Sequence, residues 1–200
     1  MLSMGRYFLT LIHKTMAHPH RMRFTHLGIY VHDLDRMIEF YTREFGLKVT
    51  DRGIGTSGIE GVFLSADPAE HHQLVFVTGR DPQSKPTTNQ ISFLMENLED
   101  LQAYAAHCRE SQVPVVMVKD HGNAWSIYVK DPEDNMIEVY CHSSWYVTQP
   151  VGKPLDLSEP ADAIRVKTEA MVRAQPGFKT REEWMSDMAA QFKQQPASTC

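Results

Sequence analysis

The chain has no apolar run near the roughly 20 residues of a membrane-spanning helix and no excess of positive charge. The first absence argues against a membrane span. The second, a formal net charge of −5, argues against a basic face for nucleic acid. Three cysteines, Cys108, Cys141 and Cys200, are odd in number and lack metal-ligand spacing. They read as reduced thiols of a cytoplasmic protein. The short apolar stretch Tyr7 to Ile12 has no small-residue cleavage site after it, so a signal peptide is not expected. Met4, Met16 and Met22 are alternative starts, and residues 1–21 read as an N-terminal extension. What remains is ordinary for a globular protein: 200 residues, 42% hydrophobic and 22% charged. That length suits one domain with an appendage, or two half-domains sharing a core.

Periodicity divides the chain. Phe24 to Val31 alternates, with His26, Gly28 and Tyr30 on one face, which predicts a strand. Asp33 caps a helix carrying Met37, Phe40, Tyr41 and Phe45, and Gly46 ends it. Leu47–Thr50, Gly61–Leu64 and Gln73–Val77 follow as strands. After a polar linker from Gly79 to Thr88 the same order restarts: strand Asn89–Met95, helix Leu98–Arg109 capped by Asn97, and strands Pro114–Val118, Trp125–Val129 and Met136–Tyr140. His26 to Tyr30 lies over Gln90 to Leu94 when the two segments are superposed. A repeated unit implies one architecture used twice. The expected fold is α+β: two tandem βαβββ modules, 24–78 and 88–142, forming a curved mixed sheet around a pocket within a 22–148 domain. Residues 149–200 form a helical C-terminal arm and tail, with helices over Ala161–Ala174 and Thr180–Phe192, the latter opened by a Thr180/Glu183 capping box.

The repeat predicts a site. With the first strands of the two halves side by side and the last strands likewise, inward positions converge: His26, Gln90, Gln73 and Glu138. The tract from Asp120 to Tyr140 adds His121 and Tyr128 on adjacent strands joined by the turn-like Asp131-Pro132-Glu133-Asp134-Asn135. A histidine, a phenol and a carboxylate so placed suit an oxygen-ligated metal and a phenolic or enolic substrate.

On Thr25-His26-Leu27-Gly28-Ile29-Tyr30-Val31, Glu70-His71-His72-Gln73-Leu74-Val75 and the tract from His121 to Glu138, residues 24–142 resemble the vicinal-oxygen-chelate superfamily. That superfamily groups glyoxalase I, bleomycin-resistance proteins and extradiol ring-cleaving dioxygenases. The chain is most similar to single-module type I extradiol dioxygenases. Their tract has His, five to seven residues, an apolar residue and Tyr, then Asp-Pro-x-Gly-Asn and a ligand Glu. Here it reads His121, five residues, Ile127-Tyr128, then Asp131 to Asn135 and Glu138, with Asp134 in place of Gly. Asp tolerates the left-handed backbone of such a turn.

The resemblance implies His26, Gln90 and Glu138 as ligands of Fe(II) or another divalent metal, and His121 and Tyr128 as catalytic residues. It implies a substrate pocket with Gln73, Tyr30 and His71, a small aromatic substrate with dioxygen, and a homodimer or higher homo-oligomer. The chain departs from the dioxygenase pattern at Gln90, where a second histidine ligand is usual. His71 or His72 is then a candidate for the missing imidazole. That departure keeps two alternatives open: a glyoxalase-like metal-dependent lyase or isomerase, and a metal-free binder of a small aromatic molecule.

Overall fold

The computed structural model describes residues 23–193. The expected extension at 1–21 and Cys200 lie outside the described residues. The first module runs β1 (Leu27–Val31), α1 (Leu34–Phe45), β2 (Lys48–Ile54), β3 (Glu60–Ser65) and β4 (Leu74–Thr78). The second runs β5 (Ile91–Leu94), α2 (Leu98–Glu110), β6 (Val115–Asp120), β7 (Ala124–Lys130) and β8 (Met136–His142). The arm adds β9 (Trp145–Tyr146), β10 (Lys153–Pro154), α3 (Ala161–Arg173), β11 (Lys179–Thr180) and α4 (Arg181–Lys193).

Local chemistry sets the helix boundaries. The Asp33 carboxylate accepts from Arg36 N at 3.1 Å, and Gly46 leaves α1 at φ 67°. Asn97 caps α2 in the same way, accepting from Asp100 N at 2.9 Å. Leu34, Met37, Phe40 and Tyr41 fall on one face of α1 and are buried. The capping box forms as expected: Glu183 N donates to Thr180 Oγ1 at 3.2 Å, and Thr180 N donates to Glu183 Oε2 at 2.7 Å.

The sheet orders are β1-β4-β3-β2 and β10-β6-β7-β8-β5. In each module the first strand pairs parallel with the last, and the other pairs are antiparallel. This corrects one expectation. Among the described residues β1 and β5 form no ladder with each other; each pairs with the last strand of its own module. The helix between the first and second strands supplies the crossover that lets the last strand return parallel beside the first.

The modules share one apolar core drawn from α1, α2 and the inner faces of both sheets. Phe45 at the end of α1 stacks on Phe93 of β5, with ring centroids 4.3 Å apart. The turn between β7 and β8 provides the polar link. Asp134 adopts φ 64° there. Tyr41 donates to Asp131 Oδ2 at 3.0 Å. Buried Glu133 accepts from His32 N at 2.8 Å, Asp33 N at 2.9 Å and Arg80 Nη1 at 3.2 Å. The arm is pinned by buried Ile164, Thr168 and Val172 of α3, and Trp184 of α4 stacks on Tyr146.

Candidate functional site

Strand alternation gives each sheet an inner face toward the core and an outer face away from it. On β5 the inner positions are Ile91 and Phe93, and the outer ones are Ser92 and Leu94. Cross-strand register then builds one outer row through the second module: Ser92, Glu138, Tyr128 and Met117. Its centre is Glu138, 8% exposed. Tyr128 donates to Glu138 Oε1 at 2.6 Å. Ser92 Oγ and Gln90 Nε2 donate to Oε2 at 2.7 and 2.6 Å. His121 Nε2 lies 2.9 Å from the Tyr128 hydroxyl, and its Nδ1 lies 2.5 Å from the Val151 carbonyl. Burial first, and then the Glu138 carboxylate, hold the Tyr128 phenol above its usual range.

The structure therefore brings together four of the residues named from sequence: Gln90, His121, Tyr128 and Glu138. Two partners escaped the sequence reading. Ser92 shares the outward parity of Gln90, so alternation alone carried its signal. Val151 belongs to the arm and carried none, because only its backbone carbonyl takes part.

The equivalent row of the first module is Gly28, Val75, Phe63 and Asp51. It has no carboxylate at its centre. Tyr30, Ile54, Ile59, Phe63, Val75 and Val77 line a hollow of about 500 Å³ on that face. Tyr30 thus lies on an apolar wall, 64% exposed. His26 does not join Glu138. Its ring lies 4.3 Å from that of His72, and its Nδ1 is 2.9 Å from Thr25 Oγ1. His71 turns to Asp51, with Nε2 2.7 Å from Oδ2, while its Nδ1 meets His72 Nδ1 at 2.8 Å. Burial, then His26 and His71, hold the His72 imidazole below its usual value.

Gln73 requires a correction. Its side chain faces its own loop, accepting from Ala66 N at 2.9 Å, rather than converging with Glu138. It stands just before β4, where the loop from Asp67 still needs acceptors for its backbone N–H groups.

Among the described residues no three His, Cys, Asp or Glu side chains gather as a metal-holding group. The donor set is nonetheless suited to a cation. Glu138 is a buried carboxylate whose three direct partners are all neutral donors. A buried charge without a counter-charge is costly, and a divalent ion would provide one. Gln90 can add an amide oxygen, and His26 stands with His72 and His71 on the side of the first module.

Comparison with known proteins agrees with this architecture. The model of the glyoxalase/bleomycin resistance protein/dioxygenase superfamily matches residues 23–139. The chain belongs to that superfamily. A glyoxalase domain-containing protein, RDO1, of Mycosarcoma maydis is 30% identical over 125 residues, which are 57% of this chain and 65% of that protein. The chain thus spans slightly less than two thirds of that relative's length. Among solved structures, a fosfomycin resistance protein, FosX, of Listeria monocytogenes superposes with a TM-score of 0.51 at 16% identity, covering 62% of this chain and 96% of that one. Glyoxalase I of Leishmania major gives 0.49 at 26% identity, covering 60% and 86%. The superfamily match spans both modules and stops short of the arm. No helix among the described residues is long and apolar enough to cross a membrane.

Proposed function

We propose that the chain is a metal-dependent enzyme of this superfamily, an extradiol-type dioxygenase acting on a small dihydroxylated aromatic compound with dioxygen. The observation that carries this reading is the buried Tyr128–Glu138 pair, ten residues apart in sequence and 2.6 Å apart in space, with His121 on the far side of the phenol. Glu138 and Gln90 would hold a divalent ion, Fe(II) in this reading, together with His26. The ion would supply Lewis acidity toward two neighbouring substrate oxygens and electron transfer to dioxygen. Tyr128, kept as a neutral phenol, donates a hydrogen bond to the carboxylate and fixes its direction. His121 takes or returns a proton at a substrate hydroxyl. The hollow lined by Phe63, Val75 and Tyr30 offers an apolar wall to an aromatic ring.

His26 and Glu138 lie on separate outer faces, so the reading requires a second copy, with the first module of one chain facing the second module of the other. Both faces carry exposed apolar side chains that such a pairing would cover: Tyr30 and Ile54 on one, Leu94 and Met117 on the other. Gln90 favours a second reading, a glyoxalase-like lyase or isomerase: the ring-cleaving pattern has a second histidine at that place, whereas stabilising an enediolate asks only for a Lewis-acidic ion.

Elemental analysis of anaerobically prepared protein tests the reading. About one divalent ion per chain is expected, in a dimer. His26→Ala and Glu138→Gln should each abolish it, and co-expressing the two variants should restore one intact site per mixed dimer. A metal-free monomer overturns the proposal. Oxygen uptake with a panel of catechols separates ring cleavage from isomerase chemistry.

A further inference from the structure

The turn that carries His121 is closed by its own hairpin bonds and braced from outside by the C-terminal arm. Asp120 Oδ1 accepts from Gly122 N at 2.8 Å, and its Oδ2 accepts from Thr168 of α3 at 2.6 Å. Ser143 donates to the Gly122 carbonyl at 2.6 Å. β10 pairs with the end of β6, setting Lys153 opposite Asp120. Between β9 and β10 the chain runs directly against the imidazole. Gln149 Nε2 donates to the His121 carbonyl at 2.8 Å and to Asn123 Oδ1 at 3.2 Å. Gln149 Oε1 accepts from Val151 N at 2.9 Å. The Val151 carbonyl then meets His121 Nδ1 at 2.5 Å, and Gly152 lies close to the ring edge.

We propose that Gln149 to Gly152 are positioning residues that lock His121 with its proton on Nδ1 and present Nε2 to the site as the acceptor. This rests on the reading that the surroundings of Glu138 are the functional site. A backbone carbonyl can only accept, so the nitrogen facing Val151 carries the hydrogen. In a neutral imidazole the other nitrogen is then bare, since the bond made by one ring nitrogen decides the state of its mate. One side chain, Gln149, ties both parts of the device together: it holds the backbone of His121 and the backbone of the residue that meets its ring.

The consequence appears in a proton count. Tyr128 has one hydroxyl proton and two acceptors, Glu138 Oε1 at 2.6 Å and His121 Nε2 at 2.9 Å. The carboxylate contact is the shorter and is charge-assisted, so it takes the larger share of a forked bond, and Nε2 accepts the weaker branch. Nε2 therefore faces the site with its lone pair only weakly engaged, ready for the proton of a ligand hydroxyl set beside Tyr128. With the opposite tautomer Nε2 would be a donor, and that capacity would be lost.

The test is the ring-nitrogen spectrum of His121 in the isotope-labelled full chain, free of metal and substrate, at a pH where an ordinary imidazole is neutral. The signal is assigned by its disappearance in His121→Gln. In the wild-type protein Nδ1 should be protonated and Nε2 bare. Gln149→Ala should draw the two resonances together as tautomers mix, while the rings of His107 and His142 keep their shifts. Should that variant fail to fold, Gln149→Glu keeps the acceptor for Val151 N and removes the donors to His121 and Asn123; the same convergence is expected. A wild-type proton on Nε2, or a folded variant with the full separation, overturns the proposal. The spectrum needs no metal, so its outcome is independent of the metal content that tests the functional reading.

Discussion

Tyr128 and Glu138 face each other across β7 and β8, and the phenol donates to the carboxylate at 2.6 Å from a position 7% exposed. Tyr128→Phe removes that donor and leaves the carboxylate with Ser92 and Gln90. The expected cost is about 1.5–3 kcal/mol, the range for a hydrogen bond to a charged group, read from urea unfolding. A change within the ~0.5 kcal/mol of ordinary surface substitutions would contradict a buried, energetically coupled pair.

Gly122 sits at φ 77°, and a Cβ there would lie 2.7 Å from a methyl carbon of Val147 and of Val172. Gly46 has a similar φ of 67° with nothing within 4 Å. Gly46→Ala should therefore cost only the left-handed backbone penalty, about 1–2 kcal/mol. Gly122→Ala must also push α3 and the strand end at Val147 apart, adding about 1–3 kcal/mol for overpacking. Equal losses for the two variants in parallel denaturation curves would mean that the arm does not press on the turn.

Glu99 of α2 accepts twice from Arg165 of α3, both bonds at 2.7 Å. Those bonds hold the Glu99 carboxyl below its usual range. A carboxyl with a lowered folded pKa binds fewer protons folded than unfolded in the window between its two values. Its stabilisation is complete above the ordinary value of about 4.3 and fades as pH falls through the folded value. Glu99→Gln should remove that part of the acid sensitivity. The pair is solvent-exposed, so the loss at neutral pH should stay within about 1 kcal/mol. An unchanged stability–pH slope below pH ~4 in the variant would show that the pair is not formed in solution.

Much of the architecture could be read from period and punctuation. Asp33 and Gly46 bracket α1, Asn97 opens α2, and the Thr180/Glu183 box opens α4, because each is a local solution to unpaired backbone groups. Asp134 adopts the left-handed turn conformation that its place in the tract implied. The two-residue strands β9, β10 and β11 were illegible, since two residues carry no periodicity. The site divided along the same line. Gln90, Tyr128 and Glu138 meet because strand parity and the β7–β8 turn set their register, and both are short-range properties. The separation of His26 from Glu138 depends on how two similar sheets pack through their helices. Self-similarity does not encode that choice. Gln73 failed for a reason one residue wide: a side chain just outside a strand answers to its loop.

The buried Glu133 carboxylate spans the boundary between the modules, bonded to the backbone at the end of β1 and to Arg80 of the connecting segment. It belongs to the same five-residue turn that sets the register of Glu138. Cutting the chain in the linker would leave this charge without its donors in one half and strip Phe93 of its stacking partner. The halves look like independent copies in the alphabet of their residues, but they are not separable modules. One glutamate, with its donors in the first module and the linker, leaves each half incomplete without the other.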